Sequence, residues 1–450
     1  MYWWHRAASL LQKGEIQQFG FITTNKIRQT NNQKIVESYL TATPPISFMY
    51  AIPDHPWMDD SQKEGRGRVS MGVCSQGKHQ GVLAQVILER REGNFVRVNL
   101  HSDVGTINSK LTLGPSMAGL NPLKANQNIS SRGMELRGSG FIVTENEAQE
   151  LGLGSIPGLD KHIRPYRNGK DIADISRNRM VIDLFGLTSE EVKRRYPAVY
   201  QWILDKVKPE RDTNRRAASR NNWWIFGEAR ATFRPALDGL SRYIVTPETA
   251  RRRYFVFLDK SVLPDNKLVA VASEDAYILG ILSSRVHKEW ELATGGRLGI
   301  GNDLVYVKSV CYDAFPFPDA SAEQKARIRI LAEAIDTHRK QRQALHPKLT
   351  MTDMYAVMEQ MFYGVVLTPK EMLVSEQGDL ASLIKLHADL DAAVADAYGW
   401  PVTLTTDEML SRLLELNRQR SAEEKAGKVR WLRPEFQNPA SLETSQLTLF

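Results

Sequence analysis

Gln18-Phe19-Gly20-Phe21-Ile22-Thr23-Thr24-Asn25 reads as a hydrophobic strand that ends in polar residues. Ahead of it, residues 2–13 have the spacing of a short helix, with Trp4, Ala7, Ala8 and Leu11 on one stripe and Lys13-Gly14 as its stop. Behind it, a helix over 34–40 is broken by Thr43-Pro44-Pro45. Four more strands are expected at 46–52, 68–74, 81–89 and 95–100, the last two joined by a hairpin-like connection over 90–94. One strand–helix crossover followed by closely spaced strands is the expected far edge of a mostly parallel α/β sheet finished by a hairpin. Alone, such a half-sheet exposes an apolar edge and face, so a complementary half is expected. No glycine-rich loop of the kind that cradles a nucleotide-like cofactor precedes the strand.

A chain of 450 residues, 42% hydrophobic and 25% charged, is globular in composition and long enough for roughly two to four domains. No apolar run approaches the about twenty residues of a membrane span, and the first residues lack a basic-then-apolar leader. Cys74 and Cys311 are far apart and form no C-x-x-C pair, so a reduced, cytoplasmic setting is expected rather than a disulfide framework or a zinc site. The net charge of +7 is unevenly placed. Residues 161–253 hold 21 Lys or Arg against 11 Asp or Glu, whereas residues 321–450 hold 16 against 18. A basic segment interleaved with Trp, Tyr and Asn is the footprint expected for nucleic acid, the other reading being a solvated basic face for some other anion.

Residues 105–128, rich in Gly, Pro, Asn and Ser, read as a connector, and 134–143 as a strand. Thr144 with Glu147 is the signature of a capped helix start. In Ile163-Arg164-Pro165-Tyr166-Arg167-Asn168-Gly169-Lys170, Pro165 and an Asn168-Gly169 tight turn would hold Arg164, Tyr166, Arg167 and Lys170 on a rigid loop. Such cations suit phosphates and the tyrosine a sugar or base; the same residues also suit a solvated surface turn. Arg211, Arg215, Arg216 and Arg220, followed by Asn221-Asn222-Trp223-Trp224, read as a phosphate-gripping element in which the tryptophans pack. A helix over 274–292 carries Arg285 and His287 and runs into Gly295-Gly296-Arg297. There Arg297 either reads guanine through two donors or pairs with Asp303 to fix its loop. Phe315-Pro316-Phe317-Pro318 reads as a hydrophobic plug.

Helices are expected from 322 onward, then over 353–363, 379–397 and 407–424, with a basic tail over 427–435 that covers a groove. His387 and Asp391, four apart, read as ordinary bundle positions rather than metal ligands.

Several segments together resemble the large adenine-N6 DNA methyltransferases of the MmeI-like restriction–modification type. They are 21–25, 166–171, 207–211, Trp223-Trp224 with Arg230, Leu282-Ser283-Ser284 with His287 and Trp290, and 315–318. To these the C-terminal part adds 386–394, 397–400, Leu416-Asn417 and 430–437. The resemblance implies an α/β chain in three parts. Residues 1–115 would be the C-terminal part of a class I methyltransferase sheet, 116–320 an α/β target-recognition domain, and 321–450 a C-terminal helical domain. It implies sequence-specific binding of duplex DNA, with Thr23, Thr24 and Asn25 lining the target-base pocket and no catalytic residue. The family's S-adenosylmethionine loop and Asn-Pro-Pro-aromatic motif are not found in these 450 residues. The cofactor is therefore expected to belong to the complete enzyme and not to bind this chain alone. The missing methyltransferase half would be a separate subunit or upstream sequence. The alternatives are a non-enzymatic DNA-binding specificity protein with a vestigial methyltransferase remnant, and an RNA-modifying subunit.

Overall fold

The first helix, Tyr2–Gln12, buries Trp4, Ala8 and Leu11, and the Trp4 ring meets Phe19, Tyr39 and Phe48. This stripe covers one side of a five-stranded sheet in a computed structural model that describes residues 1–57, 67–92, 95–117, 119–298 and 303–439. The strands are β1 (Gln18–Thr24), β2 (Ile46–Trp57), β3 (Gly67–Gln76), β4 (Gly81–Glu92) and β5 (Phe95–Gly105), in the order β1-β3-β2-β4-β5. The α/β class stands, but the sheet is mixed rather than mostly parallel. β3 runs antiparallel to both β1 and β2, β4 antiparallel to β5, and only β2 and β4 pair in parallel. β1 and β2, linked through the helix Thr30–Leu40, point the same way, and the later strand β3 fills the place between them. Strand spacing along the chain carries no information about such an insertion.

Beyond the connector the strands are short. They are β6 (Ser130–Arg132), β7 (Ile142–Val143), β8 (Ile163–Arg167), β9 (Arg179–Ile182), β10 (Arg242–Pro247) and β11 (Thr249–Ala250). β12 (Val256–Asp259), β13 (Leu263–Pro264), β14 (Leu268–Val271), β15 (Gly296–Leu298) and β16 (Asp303–Val305) follow. Among the described residues they form three sheets, ordered β12-β10-β14-β6, β13-β8-β9-β7 and β11-β16-β15. Of the strand expected over 134–143, only β7 exists as a strand; Met134 and Glu135 make single bridges and Ser139–Phe141 is a 3-10 turn. Gly140 lies so close to Lys206 that a Cβ there would sit 2.6 Å from its carbonyl oxygen, which bends the segment away from a ladder.

Asn168-Gly169 is a helix start and not a tight turn. The Asn168 side chain accepts from the backbone of Lys170 and Asp171, and Asp171 accepts from the Asn168 backbone. The long helix expected over 274–292 is two helices, Ala276–Ser283 and Arg285–Thr294, divided at Ser284, which caps the second. The helix Pro369–Gly378, with its Thr368–Glu371 capping box, escaped the periodicity. It has little apolar stripe to signal it.

The described residues form three apolar cores. One lies under the five-stranded sheet and a second holds Phe141, Tyr166, Val181, Tyr196 and Trp223. The third is continuous from β10 and β14 through Trp290 and Phe315 into the C-terminal helices at Ile328, Leu383, Leu390 and Leu413. Phe315 and Phe317 are the expected plug, packed against His287, Trp290 and Tyr312. The tail laces this core shut. Arg433 donates to the carbonyl oxygens of Ala272 and Asp238, and Gln437 to those of Ala125 and Gln127. Among the described residues no helix is long and apolar enough to cross a membrane.

Candidate nucleic-acid interface

The basic segment divides into exposed and withdrawn arginines. Arg215, Arg216 and Arg220 are exposed on and beside the short helix Ala217–Asn221. They are held together because Arg220 Nη1 donates to the carbonyl oxygens of Asn214 and Arg215, at 2.7 and 3.1 Å. Lys170 is also exposed. Arg211 is withdrawn: it is 1% exposed, donates to Leu136 and Ile225, and lies against the Phe141 ring. Expected among the phosphate contacts, it is a structural tie, because its guanidinium closes three backbone segments and no longer reaches solvent.

The rigid-loop cluster is likewise mostly inward. β8 pairs with β9 and β13, so Arg164, Tyr166 and Arg167 are not on a loop. Tyr166 is buried, and its hydroxyl donates to Asp265 in a short bond. Burial and that carboxylate push its phenol well above the usual range. It has no face left for a base. Arg164 donates to Ser261 and Lys260 carbonyls and lies 4.0 Å from Asp183. Arg167 donates to the Tyr166 carbonyl and to Asn178. Trp223 packs on Tyr200, and Trp224 donates to the Leu187 carbonyl, as packing tryptophans should.

Arg285 and His287 are also reassigned. Arg285 reaches back to the Leu404 carbonyl at 3.1 Å. His287 is fully buried, with Nε2 2.9 Å from the Tyr306 hydroxyl and Phe255 and Phe315 at its ring. Burial and neighbouring Arg253 push its pKa down to about 3. His387 and Asp391 serve the helical core: His387 meets the Tyr355 hydroxyl at 3.0 Å, and Asp391 accepts from the Arg285 backbone at 2.6 Å.

Thr23, Thr24 and Asn25 close β1 and open a 3-10 turn, Asn25–Arg28. Thr23 Oγ1 donates to the Ser70 carbonyl, Ser70 Oγ to Asn25, and Asn25 to Asp54. Asp54 also holds Arg68 at 2.6 Å. Arg28 donates to the carbonyls of Lys110 and Pro53. Lys110 in turn crosses to the other body, donating to the carbonyls of Thr294 and Gly295 at 3.0 and 3.2 Å. Two residues on, Arg297 pairs with Leu304 in the β15–β16 ladder. The structure thus brings Asn25 and Arg297, 272 positions apart in the sequence, to one junction. No ion pair joins Arg297 to Asp303, the structural partner considered for it; β15 places Leu298, not Arg297, opposite Asp303.

Residues 119–319 match the sequence model described as MmeI, target recognition domain. Over these residues the chain is similar to an MmeI-type target recognition domain. In fold, the chain is similar to the type IIL restriction–modification enzyme MmeI, solved in complex with DNA. The TM-score is 0.66 at 20% identity, over 93% of this chain and 52% of that one. It is also 26% identical over 168 residues to DNA methyltransferase A of Bacillus subtilis (strain 168), over 35% of this chain and 19% of that protein. The chain therefore spans about half the length of the solved relative, and less of the curated one.

Within residues 119–319 no motif or periodicity marks the buried Arg253–Glu291 pair. Its 3.1 Å contact lies beneath β16, with Arg253 over the Tyr306 ring. None marks Arg234 either, which clasps Asp183 at 2.7 and 3.0 Å and covers Phe185. Lys110 and Arg28, which link the first sheet to residues 294–295, lie in a connector and a one-turn helix. Neither place has a periodicity to reveal them.

Proposed function

We propose that this chain reads a specific sequence in duplex DNA, as the C-terminal portion or a subunit of an S-adenosylmethionine-dependent adenine-N6 DNA methyltransferase of a restriction–modification or phage-defence system. The observation that carries this reading is the recognition domain at 119–319 with Arg215, Arg216 and Arg220 exposed in it. Exposed arginines supply sequence-independent phosphate attraction, on which a few base contacts superimpose specificity. Lys170 belongs with them. Thr23, Thr24 and Asn25 would line the target-base side of a pocket into which one adenine is extruded. Residues 1–115, 116–320 and 321–450 would act as methyltransferase remnant, reader and brace.

The first sheet also supports a complementary methyltransferase half. Among the described residues β1 pairs on one side only, with β3. Ile22 is 56% exposed on it and Trp3 is 70% exposed nearby in sequence; an open apolar edge is a ready surface for another strand. S-adenosylmethionine would belong to that half. Here the strand-to-helix turn after β1 is Asn25-Lys26-Ile27-Arg28, which has no glycine and whose Asn25 and Arg28 are already engaged. It offers no cradle for the cofactor, and calorimetric titration of the pure chain should give no micromolar binding. Buried, unpaired Cys74 and Cys311 suit a cytoplasmic setting.

Selection from randomised duplexes with the full chain tests the reading. Enrichment of one short site is expected. Salt-sensitive binding without enrichment would leave only a general DNA-binding role, and preference for RNA or no binding at all would overturn the reading. Catalysis of methyl transfer on addition of the complementary half separates the methyltransferase reading from a non-enzymatic specificity protein.

A further inference from the structure

The two faces of the first sheet are unlike. Paired residues point to the same side of a sheet, so the ladders sort the strands into two faces. Phe19, Cys74, Phe48, Ala51 and Leu83 share one side, where they form a core with Trp4 and Val36 of the helices Tyr2–Gln12 and Thr30–Leu40. The opposite side carries Val73, Tyr50, Val82 and Val104 in one row across β3, β2, β4 and β5. Ile22, Met71 and Ile52 make the row beside it. None of these seven belongs to any of the three cores. None is charged, in a chain that is 25% charged. Exposure rises from 6% at Ile52, in the middle, to 56% at Ile22 and 63% at Val104, on the two edge strands. Neighbouring side chains on a pleated face shield one another in its middle and leave its rim wet. An uncharged apolar face about 19 Å across, four strand spacings of ~4.8 Å, is a contact surface rather than scattered exposure.

We propose that a helical layer of the complementary methyltransferase half docks on this face. That half then meets the sheet twice, once at the β1 edge and once across the face as far as β5. The inference rests on the methyltransferase reading above. A strand added to β1 lies about 5 Å beyond it and leaves Val104, at the opposite edge, untouched. Only an element that crosses over the strands covers Val82 and Val104. An amphipathic helix does so with its own backbone groups already satisfied, and its apolar stripe suits a face that offers no charge to pair with. Ile22 belongs to both surfaces, because it is exposed on the open strand β1 and stands in a row of this face. One partner therefore covers both. This chain spans 52% of the solved relative, which leaves a comparable length to supply the layer. A second copy of this chain laid face to face would cover the same residues and leave the β1 edge open.

The test uses the full chain with Ile22→Cys or Val104→Cys carrying a polarity-sensitive fluorophore; Cys74 and Cys311 are buried and stay unlabelled. The partner is the methyltransferase polypeptide encoded immediately upstream, added in trans or fused ahead of Met1. Both labels should shift to the blue and lose access to iodide when it is present, and a benzophenone at position 104 should cross-link to one of its helices. Val104→Asp should weaken the association at least about tenfold and leave the melting temperature of the chain alone unchanged. If methyl transfer appears and only the label at 22 is shielded, the half binds by the edge alone and the docking face is wrong. The face is equally wrong if methyl transfer appears and neither label responds. If the label at 104 is shielded without the partner, a second copy covers the face where shielding grows with concentration, and this chain's own residues cover it where shielding does not; either result overturns the proposal. If neither label responds and no methyl transfer appears, the methyltransferase reading falls together with the face.

Discussion

Arg211 Nη2 donates to the carbonyl oxygen of Leu136 at 2.8 Å, joining the short helix Lys208–Asp212 to a segment 75 positions earlier. One bond turns a residue of a basic run into part of the second core. Arg211→Ala should remove that tie and leave a buried gap, at a cost of about 2–4 kcal/mol. Denaturant unfolding measures it. Lost DNA affinity with unchanged stability would instead make Arg211 a phosphate contact.

Arg215, Arg216 and Arg220 should behave in the opposite way. Replacing all three by Ala is expected to leave the melting temperature nearly unchanged and weaken binding to every duplex alike. The salt slope should become shallower by up to about 3, near one unit per lost phosphate contact. Affinity lost for one sequence alone would make them base readers.

Tyr166→Phe separates a packing role from a stacking one. The Asp265 carboxylate would lose its buried donor, a loss of about 1–3 kcal/mol in stability. DNA affinity measured well below the melting temperature should stay within twofold. A large affinity loss at full stability would return Tyr166 to the interface.

Stability should fall with acid through buried His287. Arg253 and Tyr306 face it, with Phe255 and Phe315, and its folded pKa is lowered from 6.5 to about 3. The unfolded chain takes up the proton first. The neutral ring therefore contributes its stability fully above about pH 6.5 and loses it as pH falls toward 3. Between those limits the slope from this site is about 1.4 kcal/mol per pH unit. His387, also lowered to about 3 by burial and Arg339, adds a second such contribution. Urea unfolding between pH 7 and 4 should show a slope smaller by one proton in His287→Gln; an unchanged slope would mean the ring is not held neutral.

Gly295→Ala should disturb Arg297 without touching it. The added Cβ would lie 2.6 Å from the Glu291 carbonyl oxygen and 2.9 Å from that of Val305, so the turn must open. A loss of roughly 1–3 kcal/mol is expected, measured by denaturant unfolding. A variant as stable as the natural chain would show that the turn opens without cost.

Much of the local structure was legible because its causes are local. The Trp4–Ala8–Leu11 stripe and the Thr144–Glu147 capping box each act within a few residues. The concentration of basic charge over 161–253 was legible too, since it is a count.

Which arginines are available to a partner was decided only by tertiary structure. Arg211 and Arg215 are four apart and chemically identical, yet one closes a core and the other meets solvent. The difference lies in the carbonyls of Leu136 and Ile225, which the fold brings to Arg211 from elsewhere in the chain. The same holds for the insertion of β3 between β1 and β2, and for the reach of Lys110 to the carbonyls of Thr294 and Gly295. Sequence fixes what each side chain can donate, accept or bury; long-range packing fixes which partner is within reach, and a buried guanidinium takes its role from that partner.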